Sequence, residues 1–234
     1  MKKYSIAKRL SYFSKTEWFL WGASVTFIVL SFCFFDRESY LTLTASLVGV
    51  TSLIFNAKGH PLGQVLMIVF SLLYGIISFT FAYYGEMITY LGMTAPMALV
   101  AVISWLRHPY KGNRAEVKVN HLCGREVALM FGLSVMMTVA FYFILGVCNT
   151  TNLLPSTLSV TTSFIAAYLT ARRSPYFALA YAANDIVLMI LWAMASMSNM
   201  QYLSVVICFA AFLVNDLYGF LSWRKMEKRQ SSEE

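Results

Sequence analysis

Charge is scarce in this sequence. Asp, Glu, Lys and Arg together make up 12% of its 234 residues, about half the share usual in soluble domains. Hydrophobic residues make up 59%, and the mean hydropathy is +0.63. A soluble fold of this length has no core large enough to hide so much apolar surface. The strands of a membrane barrel are excluded as well, because the apolar runs are long and continuous rather than alternating. The signatures of several chemistries are also missing. There is no H-E-x-x-H, no G-x-S-x-G and no phosphate-binding glycine loop, so neither hydrolysis nor an ATP-driven pump is indicated. Cys33, Cys123, Cys148 and Cys208 show no C-x-x-C spacing, which argues against a zinc site or a redox pair. His60, His108 and His121 all fall between apolar runs, so no histidine relay crosses the chain's interior. No enzyme activity, cofactor or metal is expected.

What the sequence does contain is eight apolar stretches near the roughly 17–25 residues that a bilayer-crossing helix needs. They are Trp18–Phe35, Leu41–Ala57, Leu62–Tyr83, Met87–Leu106, Val127–Cys148, Leu153–Ala171, Pro175–Ser196 and Gln201–Trp223. The fold class predicted is all-α, a polytopic membrane helix bundle in one domain over residues 1–234. Orientation follows from Lys and Arg, which favour the cytoplasmic side. With both termini in the cytoplasm, 17 of the 18 basic residues lie inside and only Arg37 lies outside. Seven spans give no such partition. The net charge of +7 therefore reads as a topology signal in a cell (inner) membrane rather than a nucleic-acid face. Basic, polar Met1–Lys15 reads as no cleavable signal peptide, and Arg107–Glu126 as a polar cytosolic linker.

The chain also resembles itself. Thr51-Ser52-Leu53-Ile54 leads through Lys58-Gly59-His60-Pro61 into a long span, and Thr162-Ser163-Phe164-Ile165 leads through Arg172-Arg173-Ser174-Pro175 into another. Each unit closes on Ser-Trp before basic residues, at Ser104-Trp105 and Ser222-Trp223. This predicts three-helix repeats over 41–107 and 153–224, joined by a linking helix at 127–148, with the first span outside: 1+3+1+3. Three helices reverse the chain, so one extra crossing makes the repeats parallel, as in several transporters.

Acids at membrane depth cost about 2.5–3.5 kcal/mol on insertion scales and default to function. Two lie well inside the predicted spans: Asp185 beside Asn184, and Asp216 beside Asn215. No basic residue lies in any span, so neither acid has an evident partner. Interhelical locking is the other role open to them. Tyr181, Asn184, Leu188 and Trp192 share one helical face. So do Asn215, Tyr218 and Ser222, and likewise Gln64, Met67, Ser71, Tyr74 and Ser78. Rings, amides and a carboxylate together suit a small, flat, polar or cationic solute.

Tyr74-Gly75, Tyr84-Gly85-Glu86-Met87, Asn184-Asp185 and Asn215-Asp216-Leu217-Tyr218-Gly219-Phe220-Leu221-Ser222-Trp223 resemble the PnuC family of vitamin transporters, over about Trp18 to Lys228. The resemblance implies a bundle related to the SWEET sugar transporters. It implies import of nicotinamide riboside by facilitated diffusion with alternating access, made one-way by phosphorylation in the cytosol. Thiamine, riboflavin and deoxynucleosides are the alternatives carried by relatives. It places substrate between the triples, pointing to Gln64, Tyr74, Tyr181, Asn184, Trp192 and Asn215; Asp185 joins them on charge, as partner of a pyridinium ring. One departure bears on substrate identity: the Trp-x-x-Trp of many members is absent from Tyr176–Tyr181. The expected partners are this small solute and the lipid bilayer, with no nucleic acid and with homo-oligomerisation open. A structural or regulatory membrane subunit is the alternative class.

Overall fold

The computed structural model describes residues 12–80, 83–150 and 152–233. Among them the apolar stretches form eight helices: α1 Lys15–Phe35, α2 Tyr40–Ala57, α3 Pro61–Thr80, α4 Tyr84–Arg107, α5 Gly124–Val147, α6 Leu153–Ala171, α7 Phe177–Ser196 and α8 Leu203–Ser232. All eight are long and apolar enough to cross a membrane. Lys2, Lys3, Lys8 and Arg9 of the topology reading, and Phe81-Ala82 of the third predicted span, lie outside the described residues.

Local chemistry sets the helix starts. The Ser14 side chain accepts from the Glu17 backbone N–H, and Glu17 accepts in return from Ser14 N–H, a capping box that opens α1. Ser39 caps α2 through Thr42 N–H. Pro61 is the first residue of α3, where a missing N–H costs nothing. Inside α4, Tyr90–Thr94 widens into a π turn, with Ala95 N–H donating to Tyr90 O. Pro96 explains it: its ring has no N–H for the Gly92 carbonyl four residues back and crowds it, so the helix unwinds locally.

Two expectations about chain ends change. The α8 helix does not stop at Trp223 but runs to Ser232, so the basic tail Arg224–Arg229 is helical. The Arg107–Glu126 linker holds a hairpin, β1 Pro109–Tyr110 against β2 Asn113–Val117. Its two-residue turn, Lys111-Gly112, has positive φ at both positions, the geometry that tight hairpins favour. Gln230 on the α8 extension clamps the end of β2, donating to Val117 O at 3.1 Å and accepting from Val119 N–H at 2.8 Å.

Helices α2, α3, α4, α6, α7 and α8 pack in that order into a ring, with α8 closing on α2. Helix α1 lies outside against α2 and α8, and α5 outside against α6; these two are the most exposed of the eight. Their outward faces, with Phe19, Phe27, Phe34, Val135, Phe143 and Val147 exposed, are apolar, as lipid requires. The Ser/Thr-rich helices α2 and α6 are the most buried. Their hydroxyls bond back to their own helices, Ser46 to Thr42 O and Thr170 to Ala166 O, so these donors are not stranded.

Turns at the basic end of α2 and α6 are built alike. Gly59 and Arg173 both take left-handed φ (66° and 59°). Gly59 N–H donates to Asn56 O, and Arg173 N–H to Thr170 O. One strap, residues 117–120, reaches both: Val117 N–H bonds Gly59 O at 3.1 Å, and Asn120 N–H bonds Arg173 O at 3.0 Å. Helices α2 and α3 approach closely because Gly63 has no side chain. A Cβ there would sit 2.2 Å from Asn56 Oδ1 and 2.7 Å from Asn56 backbone N. Gly63→Val is therefore expected to cost about 1–3 kcal/mol, read as a lowered melting temperature of the purified protein in detergent.

Candidate functional site

Halfway along the ring's axis, α7 and α8 bring two acids together. Asp185 and Asp216 are 3% and 4% exposed, and both carboxyls line the same cavity. Far apart in the chain, the two acids are brought to one cavity by the fold. They border a cavity of about 20 Å³ to which every helix of the ring contributes: Leu53 from α2, Met67 and Phe70 from α3, Tyr90 and Thr94 from α4, Ser163 from α6, Tyr181 and Asn184 from α7, and Phe209 and Phe212 from α8. That volume holds about one water. Asn184 is held by α6, its Oδ1 accepting from Thr162 Oγ1 at 2.7 Å and Ser163 Oγ at 3.1 Å, so its NH₂ is the group it can offer a solute. Asp185 Oδ2 is buried with no hydrogen-bond partner.

Away from the basic end, the cavity is roofed by aromatic rings. Tyr74 is their hub, with ring centroids 4.4 Å from Tyr90, 5.5 Å from Phe70, 5.7 Å from Phe209 and 6.2 Å from Trp192. Toward the basic end it is floored by Trp105, Phe177 and Trp223, with Phe177 4.9 Å and Trp105 5.4 Å from Trp223. The two floor indoles bond crosswise. Trp105 Nε1 donates to Thr170 O at 2.9 Å, and Trp223 Nε1 donates to Asn56 O at 2.7 Å. Trp105 thus ties α4 to the end of α6, and Trp223 ties α8 to the end of α2.

Of the residues expected at the site, Tyr181, Asn184 and Asp185 line the cavity. Tyr74 and Trp192 lie one layer out, in the roof. Gln64 does not reach it. Its Nε2 donates to Asn56 Oδ1 at 2.9 Å, while Asn56 donates to Ser52 Oγ, and Ser52 in turn to Gly63 O, a lock between α2 and α3. Asn215 also points elsewhere, donating to Ser24 Oγ of α1 at 2.8 Å. The predicted face of Asn215, Tyr218 and Ser222 is real but largely meets α1, where the Tyr218 hydroxyl donates to Glu17 Oε1 at 3.1 Å. Successive helical residues point about 100° apart, so Asn215 on α1 puts Asp216 on the cavity.

Sequence reasoning missed Tyr90 and Thr94 of α4, although Gly92 lies within the π turn that presents them and Pro96 just beyond it. It also started the span at Met87, leaving Glu86 just outside it. Glu86 lies in the first turn of α4, 1% exposed, with both carboxyl oxygens lacking a hydrogen-bond partner and Ser159 beside it. A larger concavity, about 790 Å³, is an open groove at the basic end bordered by His121, Arg224, Glu227 and Lys228. Glu227 pairs there with Arg224 and with His121, and the groove shares no lining residue with the cavity of the two acids. Among the described residues no group of three or more His, Cys, Asp or Glu is placed to hold a metal ion, and all four cysteines are free.

Known proteins share this architecture. A crystal structure described as that of the vitamin B3 transporter PnuC superposes with a TM-score of 0.81 at 26% identity, covering 93% of this chain and 94% of that one. A protein of Neisseria mucosa named nicotinamide riboside transporter PnuC is 28% identical over 205 residues, which is 85% of this chain and 77% of that protein. The family model described as nicotinamide mononucleotide transporter matches residues 39–225, so it takes in α2 to α8 and leaves out the peripheral α1. A polytopic helix bundle matched over this length belongs to the PnuC family of membrane transporters.

Proposed function

We propose that this protein imports nicotinamide riboside across the cell (inner) membrane by facilitated diffusion, with both termini in the cytoplasm. The observation that carries the reading is the Asp185–Asp216 pair in a cavity with no basic side chain on its lining. Nicotinamide riboside carries a permanent pyridinium charge, and a buried carboxylate attracts it far more strongly than water-exposed groups do. The same pair disfavours the mononucleotide, whose phosphate would face two acids with no Lys or Arg to receive it. Riboflavin and deoxynucleosides, being neutral, gain nothing from the pair. Thiamine, a cation, stands as the runner-up.

A nucleoside-sized ligand needs a pocket of about 300 Å³ or more, so the roof or the floor must part to admit it. We read 41–107 and 153–224 as the two bodies that rock about the cavity, with 127–148 linking them. Tyr181, Asn184 and Asp185 are the proposed binding residues. Tyr74 and Trp192 are placed to stack on the base as the roof moves, and Gln64 and Asn215 keep structural roles. The test is uptake by the purified protein in liposomes without ATP or an imposed ion gradient, over nicotinamide riboside, thiamine, riboflavin and a deoxynucleoside. Saturable uptake of nicotinamide riboside above the neutral solutes supports the reading. Uptake of none of the four overturns it, and preference for thiamine reassigns the substrate.

A further inference from the structure

Resting on that reading, we propose that Glu86 and the rings around it form a second cation station, between the central cavity and the face opposite the basic end. It takes the pyridinium ring of the substrate before that ring reaches Asp185 and Asp216. Among the described residues three glutamates are buried, and Glu86, 1% exposed, is the most deeply so. The other two have basic partners, Glu17 with Lys58 at 3.3 Å and Glu227 with Arg224. Glu86 has none among the described residues, and neither of its carboxyl oxygens has a hydrogen-bond partner. A side chain that locked helices together would show its bonds, as Gln64 and Asn215 do. A buried carboxylate without a partner is costly, so this one is left to a cation from outside the chain. It stands in the first turn of α4, where the positive end of the helix dipole accommodates negative charge.

The helix itself fixes where the station lies. Tyr90, which lines the central cavity, follows Glu86 by one turn, its N–H bonded to Glu86 O. Helix α4 runs from there to Arg107 at the basic end, so Glu86 is about 6 Å farther from that end than Tyr90. Tyr83 precedes Glu86 by three residues, one turn on the other side. An arc of rings joins the two tyrosines, with centroids 4.8 Å apart for Tyr83 and Trp192, 6.2 Å for Trp192 and Tyr74, and 4.4 Å for Tyr74 and Tyr90. The arc leaves α4 on one side of Glu86 and returns to it on the other. A carboxylate beside several aromatic faces is the chemistry that selects a flat, permanently charged ring. Hydroxyls flank it as well. Ser159 lies beside Glu86, and the Ser78 carbonyl takes the Tyr83 N–H at 2.8 Å. The hydroxyls of Ser78, Ser159 and Tyr74 are buried without a hydrogen-bond partner, and they suit the hydroxyls of a ribose.

The experiment measures nicotinamide riboside uptake into liposomes against concentration, for the wild-type protein, Glu86→Gln and Glu86→Asp. Loss of the charge in Glu86→Gln is expected to raise KM about tenfold and to leave the maximal rate unchanged. Glu86→Asp, which keeps the charge, is expected to restore most of the lost affinity. A binding arm uses N-methylpyridinium, a bare ring cation, on Asp185→Asn/Asp216→Asn, whose central cavity carries no acid. Saturable quenching of tryptophan fluorescence is expected to persist in that protein and to be lost when Glu86→Gln is added. An unchanged KM in Glu86→Gln, a fall in maximal rate alone, or quenching that is absent or indifferent to Glu86 overturns the outer station while leaving the importer intact. No saturable uptake by the wild-type protein overturns the importer, and the station with it.

Discussion

Asp185→Asn is expected to lower the initial rate of nicotinamide riboside uptake by about 30-fold or more while leaving the yield of folded protein unchanged. Removing one partner of a buried charge pair costs about 2–5 kcal/mol, and a factor of ten corresponds to about 1.4 kcal/mol. Asparagine matches aspartate in shape, and its amide can still meet Asp216, so packing around the 3%-exposed side chain is preserved. What is lost is a buried carboxylate oxygen that no protein group satisfies, on a residue that lines the cavity. The measurement is uptake into liposomes beside size-exclusion chromatography of the same preparation. Because the effect acts through charge, any residual transport of a neutral nucleoside is expected to be unaffected. Unchanged uptake of the cation would remove Asp185 from the site.

Trp223→Ala is expected to cost about 3–5 kcal/mol of stability, the range for deleting a buried Trp. Its indole is fully buried, packs tilted against Trp105 and edge-on to Phe177, and donates to Asn56 O of α2. Loss of the ring opens the floor, and loss of the indole donor leaves Asn56 O with only its turn bond from Gly59 N–H. Thermal unfolding in detergent reads the loss of stability. Opening of the floor is read by labelling a cysteine placed at Ser163 with a membrane-impermeant thiol reagent added from the basic side. Labelling is expected to rise in Trp223→Ala relative to the same cysteine with Trp223 in place. Trp223→Phe separates ring from donor, since it keeps the stacking and removes only the N–H. Equal labelling of all three proteins would show that these rings do not bar the route from that end.

Much of this protein was legible from its residues, for identifiable reasons. Apolar runs long enough to cross a bilayer mark the eight helices with boundaries that hold to within a few residues, except where local chemistry extends them. Glu86 and Tyr84 lengthen α4 at its start because Glu86 is buried against the bundle rather than exposed in a turn. Glu227 and Gln230 lengthen α8 because they find partners in the Arg107–Glu126 segment and along α8 itself. The hairpin in that segment was signalled only by Lys111-Gly112, too little to separate it from a loop.

The site was legible by residue type and only in part by position. Helical spacing correctly grouped Asn215, Tyr218 and Ser222 on one face, yet spacing carries no information about which neighbour that face meets. In the fold it largely meets α1, with Asn215 on Ser24 and Tyr218 on Glu17. The Gln64 stripe shows the same limit: it is buried as expected, with Gln64 bonded to Asn56 instead of facing the cavity.

Composition, span length and the placement of Lys and Arg were enough to specify a membrane bundle of eight helices, because the cost of putting polar groups in lipid falls locally, residue by residue. The meeting of Asp185 with Asp216, the crossed bonds of Trp105 and Trp223, and the sealing of the cavity between roof and floor were decided only by the tertiary structure. Each depends on how helices distant in the chain rotate against one another, and that rotation is set by packing across the whole ring rather than by any one segment.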